Sequence, residues 1–287
     1  MTNNLLLSHR KEEPEEGILY LVGTPIGNLD DISPRAINIL SNVSLVACED
    51  TRRTKKIMNK FNISNNLISF NRENSLNKIP KLIIELKAGK SIALVSDAGI
   101  PGICDPGENI VSEVKLEGIG VICIPGPCAA ITALASSGMP SSKFIFEGFL
   151  PKKNIDREKI LFEISKNEKT TIVYESPHRL KKLLKELLEV CGGEREIVIA
   201  RELTKKFEEH VGTTINNAIM HFKDKKVMGE ITLIIKGKKK EQNQNLNKVL
   251  LKNDLHALIE AGLSLSAASK YLAKKNGIKK SIIYNLN

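Results

Sequence analysis

The sequence has no stretch approaching the roughly 18–20 uninterrupted apolar residues that a membrane span requires. Its five cysteines, Cys48, Cys104, Cys123, Cys128 and Cys191, include no C-x-x-C pair, and each sits in or beside an apolar run. An odd number without paired spacing argues against a disulfide framework and points to small buried hydrophobes in a reducing compartment. The histidines, His9, His178, His210, His221 and His256, show no ligand spacing, so no metal is expected. No secretory signal opens the chain either. Leu5–Leu7 is followed by mixed charge, which is too short and in the wrong order, so residues 1–16 are expected to be a flexible leader on a cytoplasmic protein.

What is present suits a globular chain of two domains and a small appendage: 287 residues, 41% hydrophobic and 26% charged. The net charge of +10 is uneven. From Lys236 to the end, eleven lysines face only Glu241, Asp254 and Glu260, which leaves +8 in that segment. Such a tail is either solvated surface or the footprint of a polyanionic partner.

Apolar runs bounded by turn residues alternate with helical patterns, the signature of α/β units. Ile18–Val22, Val43–Cys48, Leu67–Phe70, Ser91–Val95 and Val121–Ile124 read as strands too apolar for a sheet with one wet face. A second set follows Gly126-Pro127: Phe144–Phe149, Thr171–Tyr174, Glu196–Ala200 and Glu230–Ile235. Ser33-Pro34, Asp105-Pro106 and Ser176-Pro177 each read as an N-cap before a proline at the first helical position. The helix after Ser176-Pro177 carries Leu180, Leu183, Leu184, Leu187 and Leu188 on one face. The expected organisation is an N-terminal α/β domain over 17–125, a second α/β domain over 126–237, a polar linker over 238–247 and a small basic helical domain over 248–287. In that last domain two short helices joined at Asn276-Gly277 outline either a helix-turn-helix-like element or an ordinary helical cap.

Three glycine-rich loops leave strand candidates. The first, Val22-Gly23-Thr24-Pro25-Ile26-Gly27-Asn28-Leu29, has neither the G-x-G-x-x-G spacing of a dinucleotide turn nor a following Gly-Lys-Ser/Thr. Without Lys or Arg it suits a ligand that carries no phosphate, and it reads equally as a structural turn. The second, Ser96-Asp97-Ala98-Gly99-Ile100-Pro101-Gly102, sets a carboxylate among glycines and prolines, where it can accept from a ribose or an amine and complement a cation. The third, Pro125-Gly126-Pro127-Cys128-Ala129-Ala130, has side chains small enough for a flat ring to lie against backbone. At the ends of adjacent parallel strands the three would line one crevice.

These loops, with Cys48-Glu49-Asp50-Thr51-Arg52-Arg53-Thr54 and Asp105-Pro106-Gly107, occur in the order of the tetrapyrrole-methylase superfamily, which the chain resembles. Within it the chain is similar to the branch that methylates small-subunit ribosomal RNA. Glu147-Gly148-Phe149-Leu150-Pro151, Tyr174-Glu175-Ser176-Pro177-His178-Arg179, Ala200-Arg201-Glu202-Leu203-Thr204-Lys205 and Gly229-Glu230-Ile231-Thr232 extend the likeness over roughly residues 17–237. The resemblance implies a class III methyltransferase fold, with S-adenosylmethionine in a cleft between two α/β domains, and a homodimer. It also implies methylation of the ribose 2′-hydroxyl of a decoding-centre cytidine in 16S RNA of the 30S subunit. Carried over position by position, it implies that Gly23, Pro25, Ile26, Asp97, Ala98, Gly99, Ile100, Cys128, Ala129, Tyr174, Arg201, Glu202, Leu203, Glu230 and Ile231 form the cofactor site. The C-terminal segment resembles the family's small helical domain, with a shorter final helix.

A ribose hydroxyl is a poor nucleophile and profits from a base. Glu49, Asp50, Glu175 and Glu202 stand at predicted strand ends as candidates. Glu49, Asp50, Arg52 and Glu202 are the expected catalytic set, with Arg52 and Arg53 on the RNA backbone and Glu49 or Glu202 assisting deprotonation. The competing reading makes Asp50 an N-cap and its cluster a helix-capping ion pair. Glu175 is a further candidate, while His178 and Arg179 read equally as solvated surface. Two other functions fit the same fold: methylation of a corrinoid or other tetrapyrrole, and a non-catalytic RNA-binding assembly protein. The basic tail and the Glu49–Arg53 motif argue against the first, and the intact Asp97 and Gly23–Asn28 loops against the second.

Overall fold

The computed structural model describes residues 13–239 and 248–287. The chain divides into two compact units, one ending at Lys238 and one beginning at Lys239. Both α/β halves expected from the sequence fall within the first.

The first half contains β1 (Leu19–Val22), α1 (Pro34–Asn42), β2 (Leu45–Cys48), α2 (Thr51–Lys60), β3 (Leu67–Ser69), α3 (Ser75–Lys87), β4 (Ile92–Val95), α4 (Glu108–Leu116) and β5 (Val121–Ile124). Its sheet has the order β3-β2-β4-β1-β5 and is parallel throughout. The alternation along β1 explains why these strands look continuously apolar. Tyr20 and Val22 pack with Ala36, Ile39 and Leu40 of α1 and with Ile57 and Met58 of α2. Leu19 and Leu21 face the opposite layer, with Ile79, Leu82 and Leu86 of α3 and Ile110 and Val114 of α4. Ser33 caps α1 as expected, accepting from the Ala36 N–H at 3.1 Å.

The second half continues with α5 (Ala129–Ser137), β6 (Phe144–Phe149), α6 (Asn154–Lys166), β7 (Thr170–Glu175), α7 (Pro177–Cys191), β8 (Glu196–Arg201), β9 (Glu209–Thr214), α8 (Ile215–Phe222) and β10 (Ile231–Ile235). Its sheet order is β6-β7-β10-β8-β9, and only the β6–β7 pair is parallel. Helices α6, α7 and α8 cover one face, where Leu180, Leu183, Leu184 and Leu187 are buried as the spacing predicts. The other face meets α5: Ile172, Val198, Ala200 and Ile234 pack with Ala130, Ala133, Leu134 and Ile26 of the first loop.

The second unit holds α9 (Lys248–Glu260), α10 (Leu265–Asn276) and α11 (Lys280–Tyr284) around Leu251, Leu255, Ala268, Leu272 and Ile283. Ser264 caps α10 by accepting from the Ala267 N–H, and Gly277 ends it in the left-handed region (φ 65°). Among the described residues, no helix is long and apolar enough to cross a membrane.

Five expectations need correction. Residues 13–16 are tied down: Glu13 pairs with Arg35 and the Glu15 N–H donates to the Tyr20 hydroxyl at 2.7 Å. Residues 1–12 of the expected leader, and 240–247 of the expected linker, lie outside the described residues. Asp105 does not cap a helix, because α4 starts two residues later with Gly107 at its N-cap. Ser176 stands at the N-cap of α7, but its hydroxyl makes no capping bond. Not every cysteine is a core hydrophobe: Cys123 is exposed, on the sheet-edge strand β5, and Cys104, Cys128 and Cys191 are only half-buried. Strand β9 was not expected at all.

Candidate functional site

Strands β4, β1 and β5 are neighbours, so the loops leaving their carboxyl ends meet on one side of the sheet. Thr24 and Gly99 exchange two backbone hydrogen bonds of 2.9 and 3.1 Å, which ties the first loop to the second. The buried Thr24 hydroxyl adds bonds to the Ser96 and Gly99 carbonyls, both at 3.3 Å. The first and third loops touch backbone to backbone. A Cβ on Gly23 would stand 2.7 Å from Gly126 Cα, and one on Gly126 would stand 2.7 Å from Gly23 Cα. Only glycine at both positions allows the contact. From the other half, the Asn28 N–H donates to the Thr204 hydroxyl at 2.9 Å.

These loops and the ends of β7, β8 and β10 enclose a cavity of about 420 Å³. That volume is in the range of small-molecule sites, roughly 300–1,000 Å³. Its apolar wall includes Ile26, Ile100, Ala129, Phe149, Tyr174, Ala200 and Leu203. The Tyr174 ring is fixed by an edge-on contact with Phe146, at 5.0 Å between centroids, and its hydroxyl accepts from the Ala130 N–H at 3.0 Å. Burial pushes the Tyr174 phenol up, so it stays a neutral hydrogen-bonding group.

The polar wall is acidic. Glu49, Asp97, Asp105, Glu175 and Glu230 line the cavity, with Arg53 as the only lysine or arginine among the lining residues. The Asp97 carboxylate accepts from the Asp50 N–H at 3.0 Å and faces Arg53 Nε at 3.4 Å. Burial nevertheless raises its pKa, with Arg53 and that N–H offsetting part of the rise. Asp105 is pushed up to about 6 by burial and then by the negative charge of Glu49, against smaller opposing effects of the Ser96 hydroxyl and Arg72. Neighbouring carboxylates that resist ionisation together favour a cation between them. Glu175 is buried at the back wall, accepting from Arg179 Nε at 2.6 Å and the Ser176 N–H at 2.7 Å, with Arg157 at 3.5 Å.

Of the expected cofactor residues, Ile26, Asp97, Ala98, Gly99, Ile100, Cys128, Ala129, Tyr174, Leu203, Glu230 and Ile231 come together on this lining. Gly23 and Pro25 do not reach it, and Gly23 acts through its contact with Gly126. Arg201 points away to β9, pairing with Glu209 at 2.8 Å. Glu202, held in the left-handed region (φ 54°), also stays off the lining. It binds Lys205 at 2.8 Å and accepts from the Glu230 N–H at 3.0 Å. Burial alone would raise its pKa, but Lys205 and that N–H outweigh burial and hold it below the usual range, which makes it a poor proton acceptor. Of the expected catalytic set only Glu49 faces the cavity. Asp50 caps α2, accepting from the Arg52 N–H at 2.9 Å, and pairs with the Arg52 side chain at 2.7 Å. The Arg52 side-chain bond, then the backbone bond, hold Asp50 down to about 2. Arg52 is 87% exposed. His178 is exposed, and Arg179 serves Glu175 rather than solvent. The lining residues missed from the sequence include Asp105, Cys104, Phe149 and Ser176. Among the described residues, no group of three His, Cys, Asp or Glu side chains is placed to hold a metal ion.

The pattern of the tetrapyrrole (corrin/porphyrin) methylases matches residues 18–219. The chain is 43% identical over 271 residues to the ribosomal RNA small subunit methyltransferase I of Synechocystis sp., covering 94% of this chain and 97% of that protein. Among solved structures it is similar to a cobalamin biosynthetic enzyme, cobalt precorrin-4 methyltransferase, with a TM-score of 0.60 at 17% identity, covering 77% of this chain and 95% of that one. It is also similar to uroporphyrin-III C-methyltransferase from Thermus thermophilus in complex with S-adenyl homocysteine, with a TM-score of 0.54 at 16% identity, covering 75% and 96%.

Proposed function

The chain belongs to the tetrapyrrole (corrin/porphyrin) methylases, and from that membership we propose that it methylates small-subunit ribosomal RNA with S-adenosylmethionine, at the ribose 2′-hydroxyl of a decoding-centre cytidine. The observation that carries this reading is the acid-walled, otherwise apolar cavity at the ends of β4, β1 and β5. When bound, the cofactor supplies an electrophilic methyl group on a positively charged sulfur. The residues present fit it. The small Ala98, Cys128 and Ala129 leave room for a flat ring, and Asp97 complements a cation or a ribose. The Tyr174 hydroxyl, bonded to the Ala130 N–H, sets the distance between the third loop and β7.

Docking of RNA falls to cations outside the cavity. Arg52 of the Glu49–Arg53 motif is exposed, and the second unit presents Lys270, Lys274, Lys275, Lys279 and Lys280 to solvent. Phosphate contacts of this kind give binding that weakens steeply with salt. Acting on ribosomal subunits would make the protein cytoplasmic, and that location and the expected homodimer belong to the same proposal.

Asp97→Asn is expected to weaken S-adenosylmethionine binding by roughly 10- to 100-fold, since a hydrogen bond to a charged group contributes about 1.5–3 kcal/mol. Calorimetry on the variant measures it. The function itself is tested by mass mapping of small-subunit RNA from cells with and without the protein. One cytidine losing a ribose methyl group in its absence supports the reading. An unchanged methylation map, or transfer to a tetrapyrrole instead, rejects it.

A further inference from the structure

A second cavity, of about 360 Å³, adjoins the first and shares Cys104 and Asp105 with it. Its character differs. Phe70 and Ile110 form an apolar floor, while Arg72, Ser75, Glu108 and Asn109 supply polar walls. Arg72 is exposed and leans across the loop, donating to the Cys104 carbonyl at 2.5 Å. The cofactor reading has no use for this space, because none of the three glycine loops after β1, β4 and β5 enters it beyond Gly102.

We propose that this second cavity seats the nucleotide to be methylated, with Arg72 at its phosphate and Asp105, in the wall common to both cavities, taking up the proton of the hydroxyl that receives the methyl group. The proposal rests on the RNA-methylation reading. Asp105 is the acid placed for it. Glu49 faces only the first cavity, Asp97 is engaged by Arg53 and the Asp50 N–H, and Glu175 is locked between two arginines. As the carbon–oxygen bond forms and the carbon–sulfur bond breaks with its electron pair left on sulfur, the hydroxyl proton passes to the Asp105 carboxylate. The sulfonium charge and the carboxylate charge vanish together, so the step does not change the net charge of the site.

The surroundings of Asp105 suit that role. Glu49 and Asp97 face it from the first cavity, where Arg53 also lies, Glu108 lines the second, and Arg72 and the Ser96 hydroxyl oppose the rise. The resulting value of about 6 lies close to neutrality, where a carboxylate is still ionised yet binds a proton more readily than an ordinary aspartate. Asp105 must be ionised to accept, so the rate rises with pH through about 6 and then levels.

Single-turnover methylation of unmethylated small subunits, measured from pH 5 to 8, tests the proposal. Asp105→Asn is expected to lose about 100- to 10,000-fold in rate, the usual contribution of a positioned base, and to lose the rise near pH 6. Glu49→Gln should keep a rise but move it to lower pH, because the Glu49 charge no longer helps to raise Asp105. Arg72→Ala should raise the concentration of subunits needed for half-maximal rate while leaving the limiting rate within threefold. Calorimetry with S-adenosylhomocysteine should give wild-type affinity for the Arg72 variant and saturable binding for the Asp105 variant, which shows that they fold and load. Without cofactor, filter retention of a small-subunit RNA fragment should fall for Arg72→Ala and hold for Asp105→Asn. An active wild type with an Asp105→Asn variant within threefold of it, or with the rise near pH 6 intact, overturns this inference alone. A wild type that methylates no small-subunit RNA overturns the functional reading with it.

Discussion

Gly126→Ala is expected to reduce S-adenosylmethionine affinity at least 100-fold and to lower the melting temperature. The new methyl would meet Gly23 Cα at 2.7 Å, its carbonyl carbon at 2.8 Å and its oxygen at 2.9 Å, all backbone atoms that no rotamer change can move. Relief requires the loops after β1 and β5 to part. The first loop is also pinned to the second through Thr24 and Gly99, so the displacement falls on Cys128 and Ala129 at the start of α5. Overpacking of this kind costs about 1–3 kcal/mol, or roughly 2–12 °C in a unit of this size. The loss of affinity exceeds the loss of stability because the three loops form the cofactor wall, whereas the cores behind them are untouched. Calorimetry and thermal melts on one preparation separate the two effects.

The second large effect is on stability. Arg157 of α6 is 3% exposed and donates to Glu186 at 2.7 and 2.9 Å, with the fully buried Glu175 carboxylate at 3.5 Å. Arg157→Met removes the charge while keeping much of the packing. Breaking a buried pair by deleting one partner costs about 3–5 kcal/mol, because the remaining charge is left uncompensated. Arg179 still holds Glu175 from the other side, so the lower end applies, about 3 kcal/mol and a fall of roughly 6–12 °C. By contrast, deleting Lys87 from its exposed pair with Glu117 should change stability by less than about 1 kcal/mol. Denaturant melts of Arg157→Met and Lys87→Ala make the comparison. Glu175 also ends β7 beside Tyr174 and Ser176, so loosening it should weaken cofactor binding as well.

The two halves and the helical unit were legible because their signals are local. Strands covered on both faces stay apolar throughout, as β4 does with all four residues buried. The caps at Ser33 and Asp50 could be read from residue type, and each accepts the expected bond. Strand β9 could not be read that way. It is an edge strand, Glu209-His210-Val211-Gly212-Thr213-Thr214, whose one apolar residue leaves no periodicity to detect.

The site was legible where a loop supplies both the turn and the contact, as at Asp97, Cys128 and Ala129. It was misread where partners come from distant sequence. Arg201 and Glu202 share a motif with Leu203, yet Glu209 and Lys205 draw them off the lining while Leu203 faces in. Asp105 before Pro106 imitates a helix start. The glycine at 107 takes that place, where a Cβ would stand 2.8 Å from the Gly102 N, and the Asp105 carboxylate is left to the cavity.

The most direct test of the cofactor cavity is a crystal structure of the protein grown with S-adenosylhomocysteine. Density lying against Ala98, Cys128 and Tyr174, with Asp97 within hydrogen-bond distance of the ligand, is the result predicted here. Density elsewhere on the molecule, or a cavity that stays empty at saturating ligand, would contradict it.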